Sequence, residues 1–224
     1  LLRQKGRLIM CKFNKLDLNT FHWAESAGAE LAGKYDMPVL QAVHEVVPDK
    51  MVPFHNAISQ KEPEKLWYHF YEDDYQFERI WNNTDKYIPI LRRFKGGITP
   101  DFSVYLDMPR SQQIWNCWRN RVLAYYMQKQ GLLVVPNVSW SDVESLEWAF
   151  DGIPEGSVLS VTSQGCMGHD YICKQSFLNG LHELVRKKHP ELIIVYGKFP
   201  EAWKERFSIP IVTCKSFSEE RWGK

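Results

Sequence analysis

The feature that most constrains the fold is a strand–helix–strand pattern at residues 98–140. Two apolar runs, at 102–106 and 132–138, enclose a long segment whose apolar residues recur at helical spacing. Two strands joined by a helix are nearly always parallel neighbours with a right-handed crossover. Because parallel strands end at the same edge of a sheet, polar residues after them meet there, and α/β proteins bind ligands at that edge. The pattern therefore predicts an α/β protein with its site at the strand ends.

The alternation of strands and helices continues along the chain. Apolar runs bounded by glycine, proline and polar residues predict further strands at 37–43, 52–58, 157–163, 192–196 and 209–214. This alternation of strands and helices favours a small or incomplete (β/α) barrel, and the alternative is an open doubly wound parallel sheet. No linker interrupts the pattern, and 224 residues suit one domain. We therefore expect a flexible or extended N-terminal arm at 1–20 and a single α/β domain at 21–224.

Composition narrows the classes of function. The formal net charge is +1, so the surface as a whole is not built to bind phosphates, although a local basic patch is permitted. The five cysteines are scattered and odd in number, which favours a reducing cytoplasm. No apolar run reaches the roughly 20 residues that a membrane helix needs, so no membrane partner is expected. Aromatic residues make up 14% of the chain and either pack the core or form a stacking surface for bases or sugars.

Two aspartates flank the predicted strand at 102–106. Asp107 follows it and is the preferred catalytic candidate, as a general base or metal ligand, with a helix cap as the structural alternative. Asp101 precedes the strand and is the second catalytic candidate, with a turn after Pro100 as its alternative. On an extended strand the two carboxylates would lie about 20 Å apart, too far to act jointly unless the chain bends. Cysteine and histidine complete no four-ligand pattern, so no metal-ligating set is predicted, and the cofactor is left open.

Arg119 is the notable residue of the predicted helix between the two strands. It lies on the same helical row as Trp115 and Val122, which places its guanidinium at the boundary of the core. A buried guanidinium requires a carboxylate or a phosphate as its partner. We expect Arg119 either to pair with a structural aspartate or, as the alternative, to hold a substrate anion.

Several motifs carry a resemblance to a known family. They are HFYEDDYQFERIW at 69–81, the pattern PDFSxYxDxP at 100–109, Asn116 with Arg119 and Arg121, GxxVxPNVxW at 131–140, FDGIP at 150–154 and VYG at 195–197. Together they resemble the domain of unknown function 4417 family of bacterial, phage and mobile-element proteins, over residues 52–197. The resemblance implies a phage- or plasmid-associated cytoplasmic protein and brings no established reaction. It raises the weight of polar positions that fall in the motifs: Asp101, Ser103, Asp107, Asn116, Arg119, Asn137, Trp140 and Tyr196.

Two hypotheses of different classes follow. In the first, the chain is a barrel enzyme, a hydrolase or transferase that acts on a nucleotide-like or otherwise phosphorylated molecule. Asp107 and Asp101 are then the catalytic candidates, and a deep pocket is expected. The substrate-binding candidates are Ser103, Asn116, Arg119, Asn137, Trp140, Tyr196 and Lys198. Arg119 or Lys198 would hold the anion, and Trp140 or Tyr196 would stack on the substrate.

In the second hypothesis, the chain is a non-catalytic binding protein of a mobile element. It would contact DNA or a host protein through the aromatic-rich segment at 67–81. This hypothesis expects no compact pocket, with Asp107 used as a helix cap. The sequence decides neither between enzyme and binding protein nor the oligomeric state.

Overall fold

The computed structural model describes residues 2–4, 7–9, 20–168, 171–216 and 219. Most of the predicted N-terminal arm at 1–20 lies outside these residues. Near the N-terminus, two antiparallel pairs stand apart from the main sheets. They are β1 (Leu2–Gln4) with β2 (Arg7–Ile9), and β3 (Leu31–Ala32) with β4 (Met37–Pro38).

Parallel strands form the centre of the fold. A four-stranded sheet contains β5 (Met51–Pro53), β6 (Trp67–His69), β7 (Gly96–Ile98) and β8 (Val134–Val135). A three-stranded sheet contains β9 (Val158–Thr162), β10 (Leu192–Tyr196) and β11 (Ile211–Cys214). An isolated parallel bridge between Asn137 and Ser160 joins the two sheets just beyond β8. The strands from β5 to β11 are therefore parallel and adjacent in the order of the chain.

Helices lie between most successive strands. They are α1 (Phe54–Ala57), α2 (Asp74–Asn82), α3 (Thr84–Leu91), α4 (Arg110–Lys129), α5 (Tyr171–Lys188) and α6 (Glu201–Lys204), with short 3-10 turns at Pro63–Lys65 and Glu144–Glu147. The longest, α4, begins after Pro109 and ends just before Gly131, whose φ of 78° favours glycine. In the described part of the chain, no helix has the length and apolar character needed to cross a membrane.

The hydrophobic core lies on both faces of the strands, because successive side chains of a strand point to opposite faces. On β6, Tyr68 packs with Phe77 and Leu123 on the side covered by α2 and α4. The neighbouring Trp67 belongs to a different cluster, on the other face. That second cluster, here called the inner cluster, contains one buried residue or more from each of β6 to β10: Trp67, Ile98, Val135, Val158, Ile194 and Tyr196.

The mixed α/β class, with parallel strands and alternating helices, is confirmed. The strand predicted at 192–196 coincides with β10, and those at 132–138, 157–163 and 209–214 contain β8, β9 and β11. Three other predictions were wrong in position. Residues 102–106 form a loop, 37–43 contributes only Met37–Pro38 to an antiparallel pair, and 54–57 within 52–58 is helical.

The sequence did not reveal β6 and β7, and β7 shows why. Its sequence is Gly96-Gly97-Ile98, and glycine is depleted in strands, so the pair was interpreted as a break. Here the glycines admit rings from the neighbouring strand: a Cβ atom on Gly97 would lie 2.1 Å from Tyr68 Cε2, and one on Gly96 would lie 2.5 Å from Trp67 Cζ3. A close approach of this kind is a recognised use of glycine inside a sheet.

We predict that Gly97→Ala lowers the free energy of unfolding by about 1–3 kcal/mol, because the buried ring of Tyr68 cannot move without overpacking the core. Urea denaturation measures the change. Gly168→Ala is the matched control: a Cβ there meets nothing within 4 Å, and we expect a change within about 0.5 kcal/mol. Equal effects of the two substitutions would contradict the packing of Tyr68 on β7.

Candidate functional site

A cavity of 920 Å³ lies where the parallel strands end. Its volume is in the range of about 300–1,000 Å³ that is usual for small-molecule sites. Its walls come from the segments that follow β5, β6, β7, β8 and β9, together with the first half of α5. Polar or ionisable side chains in the lining are His55, Tyr71, Glu72, Asp73, Gln76, Asp101, Ser103, Tyr105, Asp107, Ser139, Trp140, Ser141, Thr162, Gln164, Cys166, Cys173 and Ser176. We call this the strand-end cavity.

Asp101 is held in the wall of this cavity by a hydrogen-bonded chain. Its Oδ1 accepts a hydrogen bond of 2.7 Å from Asn137 Nδ2. The Asn137 Oδ1 in turn accepts one of 2.9 Å from the hydroxyl of Tyr71, which also lies 2.6 Å from Ser160 Oγ. The Asn137 amide donates to Thr99 Oγ1 at 2.7 Å. Residues beyond β6, β7 and β8, and one within β9, therefore fix a single carboxyl group.

The environment of Asp101 changes its acidity. Burial raises the pKa of this carboxyl to about 7. Hydrogen bonds from Asn137 and Ser139 oppose that rise, and the negative charge of Asp74 adds to it. A carboxyl group that titrates near neutral pH can both accept and donate a proton under physiological conditions, which suits a general acid or base. Perturbed groups of this kind concentrate at functional sites.

The structure changes which of the two aspartates follows a strand. Because β7 ends at Ile98, Asp101 follows the strand directly, and the interpretation of Asp101 as preceding a strand was wrong. Asp107 lies farther along the loop; it lines the cavity but is exposed to solvent. The first residues of α4 follow Pro109, and no described residue forms a side-chain cap there, so Asp107 is not used as the helix cap.

Ser103 and Asn116 belong to the structure that holds the loop after β7. The Asp74 carboxylate accepts hydrogen bonds from Ser103 Oγ at 2.8 Å and from its backbone amide at 3.2 Å. Asn116 Nδ2, from α4, donates to the Ser103 carbonyl at 2.7 Å. Ser103 lines the cavity, whereas Asn116 lies behind the loop. These bonds shape the cavity wall at Ser103.

Arg119 is paired with a carboxylate, as one of the two expectations for it required. Its Nη1 donates to both carboxylate oxygens of Glu78, at 2.8 and 3.0 Å, so the partner is a glutamate rather than an aspartate. The other terminal nitrogen donates to Asn116 Oδ1 at 2.8 Å. The guanidinium carbon lies 3.6 Å from the centre of the Phe102 ring, a cation–π contact. Arg119 is not part of the cavity lining.

The remaining candidates are distributed over three places. Trp140 lines the strand-end cavity; its ring stacks on Phe177 at 5.7 Å, and its Nε1 donates to the Ser176 carbonyl at 3.1 Å. Tyr196 is buried and lines a second, smaller cavity instead. Lys198 is exposed and lines neither cavity. Of the nine candidate site residues, four therefore line the strand-end cavity: Asp101, Ser103, Asp107 and Trp140.

The hydrogen-bonded pair formed by His55 and Glu72 was not predicted from the sequence. The His55 amide donates to Glu72 Oε1 at 3.1 Å, and its imidazole Nδ1 is hydrogen-bonded to the other carboxylate oxygen. Both residues line the strand-end cavity. Glu72 was overlooked because β6 was not recognised, so the residues after it were not seen as strand-end residues. The signal was present in the motif at 69–81, which contains Tyr71 and Glu72.

The charged side chains in the described lining of the strand-end cavity are mainly acidic. Its described lining contains the carboxyl groups of Glu72, Asp73, Asp101 and Asp107, and it contains neither lysine nor arginine. Within the described ranges, no group of three or more His, Cys, Asp and Glu residues is arranged to hold a metal ion. The arrangement can therefore bind polar groups and exchange protons through Asp101.

The fold and the cavity define an α/β protein with parallel strands and a site at the strand ends. The chain belongs to the family described as a domain of unknown function, DUF4417, whose model matches residues 29–214. The resemblance noted over 52–197 is confirmed and extends farther in both directions.

Two phage proteins are similar to the chain. The Gene 1 protein of Mycobacterium phage L5 is 30% identical in an alignment of 191 residues that covers 79% of this chain and 82% of that protein. The Gene 1 protein of Mycobacterium phage D29 is 37% identical over 130 residues, 58% of this chain; the match spans 48% of the D29 protein, about half its length. No solved structure matches the chain with statistical significance. The association with phages is thus confirmed.

We predict that Glu78→Gln lowers the free energy of unfolding by about 2 kcal/mol, because it removes the carboxylate that neutralises a mostly buried guanidinium. Urea denaturation measures the loss. In the background of Arg119→Met, which keeps an apolar side chain over Phe102, Glu78→Gln should cost far less. Additive losses in this double-mutant cycle would contradict a structural role for the pair.

Proposed function

We propose that the chain is an enzyme that carries out acid–base chemistry, as a hydrolase or transferase, on a small molecule bound in the strand-end cavity. Asp101 is the general acid or base. The observation that carries this proposal is a carboxyl group with a pKa of about 7 in the wall of a 920 Å³ cavity at the ends of parallel strands. Sites at this edge are the rule in α/β enzymes.

The surroundings of Asp101 support a catalytic role. The hydrogen bonds from Tyr71 to Asn137 and from Asn137 to Asp101 fix the carboxyl group, so that little reorganisation accompanies proton transfer. The Asp101 carboxyl group accepts hydrogen bonds from the Asn137 side-chain amide and from Ser139, and it lines the cavity in which a substrate would bind. His55, bound to Glu72 on the same cavity, provides a second group that can exchange protons.

The proposed substrate is an uncharged or cationic polar molecule with a ring that can lie against Trp140. A phosphorylated or nucleotide-like substrate was the expectation from the sequence. A phosphate in the cavity would be repelled by the carboxylates of Glu72, Asp73 and Asp107. The described lining contains no lysine or arginine that would offset this repulsion. Arg119, expected to hold the anion, is bound to Glu78.

We also propose that the parallel strands from β5 to β11 curve into an incomplete (β/α) barrel that is open between β5 and β11. The inner cluster supports this, since residues from β6 to β10 pack together on one face of the strands. The smaller cavity supports it as well, because Met51 of β5 and Val212 of β11 both line it. An open doubly wound sheet would separate the outermost strands widely.

Spin labels at Met51→Cys and Val212→Cys, in a background with the native cysteines replaced by serine, test the curvature. Neighbouring strands are about 4.8 Å apart, so a flat sheet of this many strands would separate its edges by roughly 29 Å. We predict a label distance below about 20 Å by electron paramagnetic resonance. A distance near that of the flat sheet would contradict the barrel.

The alternative is a binding protein that contacts its partner through the aromatic segment at 67–81. This segment has little exposed aromatic surface. The rings of this segment are buried in the core: Trp67, Tyr68, Phe70, Tyr71, Phe77 and Trp81 are each at most 7% exposed. Only Tyr75 among its aromatic residues is exposed. The alternative also expected no compact pocket and Asp107 as a helix cap. These observations favour the enzyme.

A pH profile of stability tests the state of Asp101. The unfolded carboxyl has an ordinary pKa of 3.8 and the folded one about 7, so between these values the folded state binds more protons. The stabilisation from this group is fully present below pH 3.8 and is lost as pH rises through about 7. We predict a slope of up to about 1.4 kcal/mol per pH unit in that window. Asp101→Asn should remove this contribution, and an unchanged profile would contradict the raised pKa.

A thermal-shift screen against nucleosides, amino sugars and their phosphorylated forms tests the site. We predict that a ligand of the uncharged or cationic set stabilises the protein by a few kcal/mol at about 100-fold over its Kd, and that its phosphorylated form does not. Asp101→Asn should abolish turnover of that ligand while leaving the fold intact. Lys198→Gln is the matched control, and we expect it to bind the ligand as the parent chain does. If it lost binding, Lys198 would be the ligand-binding residue expected from the sequence, and the proposed site would be contradicted.

A further inference from the structure

A second cavity, of 220 Å³, lies between the two outermost parallel strands, β5 and β11. It is lined by Met51 of β5, by residues of β11, and by His69 and Tyr196 at the ends of β6 and β10. A stack of rings separates it from the strand-end cavity: Tyr196 lies 4.8 Å from Tyr71 and 4.5 Å from His69 between ring centres. The proposed general acid–base group does not use this cavity.

His69 presents an unused hydrogen-bond donor here. The residue is only 1% exposed, and the Tyr71 amide donates to its Nδ1 at 3.1 Å. Since Nδ1 accepts, the ring proton lies on Nε2. Within the described part of the chain, no acceptor bonds to Nε2. A donor in the wall of a cavity that has no acceptor favours a ligand that supplies an oxygen.

The imidazole acts as a neutral donor. Burial, with a smaller contribution from the charge of His55, lowers the pKa of His69 to about 3. The ring therefore remains uncharged at physiological pH, with its single proton on Nε2. Positive charge at the cavity has to come from another residue.

Lys215 supplies that charge. It lines the cavity, is exposed, and forms no ion pair with any residue in the described ranges. The one carboxylate of the lining, Asp49, is bound at 2.7 Å to Lys95, and this hydrogen bond lowers its pKa. Its negative charge is thus already matched. Among the described residues, the cavity therefore has one ammonium group without an ion pair and one N–H donor without an acceptor.

We propose that this second cavity is a binding site for a small oxyanion, such as a phosphate or a carboxylate. One oxygen of the anion accepts the hydrogen bond from His69 Nε2, and Lys215 provides the opposite charge. The anionic ligand expected from the sequence is thereby assigned to the cavity beside Tyr196 and not to the one that holds Asp101. The site is independent of the reaction proposed for the strand-end cavity.

Calorimetric titration with inorganic phosphate, sulfate and acetate tests the site. We expect saturable binding of at least one of them by the whole chain, and the comparison of phosphate with acetate separates a tetrahedral anion from a carboxylate. His69→Phe keeps the ring stack and removes the donor; it should weaken binding at least about tenfold. Lys215→Gln should weaken it by a similar factor.

Two controls complete the experiment. Asp101→Asn should leave anion binding unchanged, which separates this site from the strand-end cavity. His69→Phe also removes the Nδ1 acceptor of the Tyr71 amide, so circular dichroism must first show that this variant is folded, and some loss of stability is expected in anion-free buffer. Absence of saturable binding for all three anions would overturn the proposal. So would binding that persists unchanged in both His69→Phe and Lys215→Gln, since the anion would then lie elsewhere.

Discussion

The loop after β7 depends on hydrogen bonds from the buried polar face of α4, and the strand-end cavity depends on that loop. Buried backbone groups require partners, and a loop that enters the core cannot obtain them from a neighbouring strand. Asn120 supplies them for Phe102: its Oδ1 accepts from the amide at 2.7 Å, and its Nδ2 donates to the carbonyl at 3.1 Å. Asn116 donates to the carbonyl of Ser103, whose amide donates to the Asp74 carboxylate. With these bonds in place, Asp101 stays in the cavity wall.

Arg121, also on α4, likewise forms hydrogen bonds to the backbone of neighbouring segments. It is 2% exposed, and its guanidinium donates to the carbonyls of Ala149 at 2.6 Å, Asp151 at 3.1 Å and Asn137 at 3.4 Å. Three carbonyl dipoles replace the carboxylate that a buried arginine usually requires. Because one of them belongs to Asn137, α4 also fixes the residue that donates to Asp101. A single helix thus organises the segments after β7 and β8 that carry the proposed acid–base group.

The two cavities differ in charge because the lysines and arginines of the chain are used in different ways. Arg119 and Arg121 are held within the protein by Glu78 and by backbone carbonyls, which leaves the strand-end cavity to its carboxyl groups. Lys215 faces the smaller cavity without a described ion pair. Between them, the stacked rings of Tyr71 and Tyr196 form a common wall. An anion and an uncharged or cationic molecule could therefore be bound on opposite sides of it.

The sequence alone determined the mixed α/β class, the bounds of β10, the family, and the need of Arg119 for an anionic partner, because these follow from local apolar patterns, motifs and the cost of burying a charge. It did not determine β6 and β7. Gly96 and Gly97 form a strand only because rings of β6 occupy the space of their missing side chains, which is a contact between distant segments. The strand that these glycines form ends at Ile98, three residues before Asp101. Tertiary structure alone therefore decided that Asp101 follows a strand and lies in a protein environment that raises its pKa.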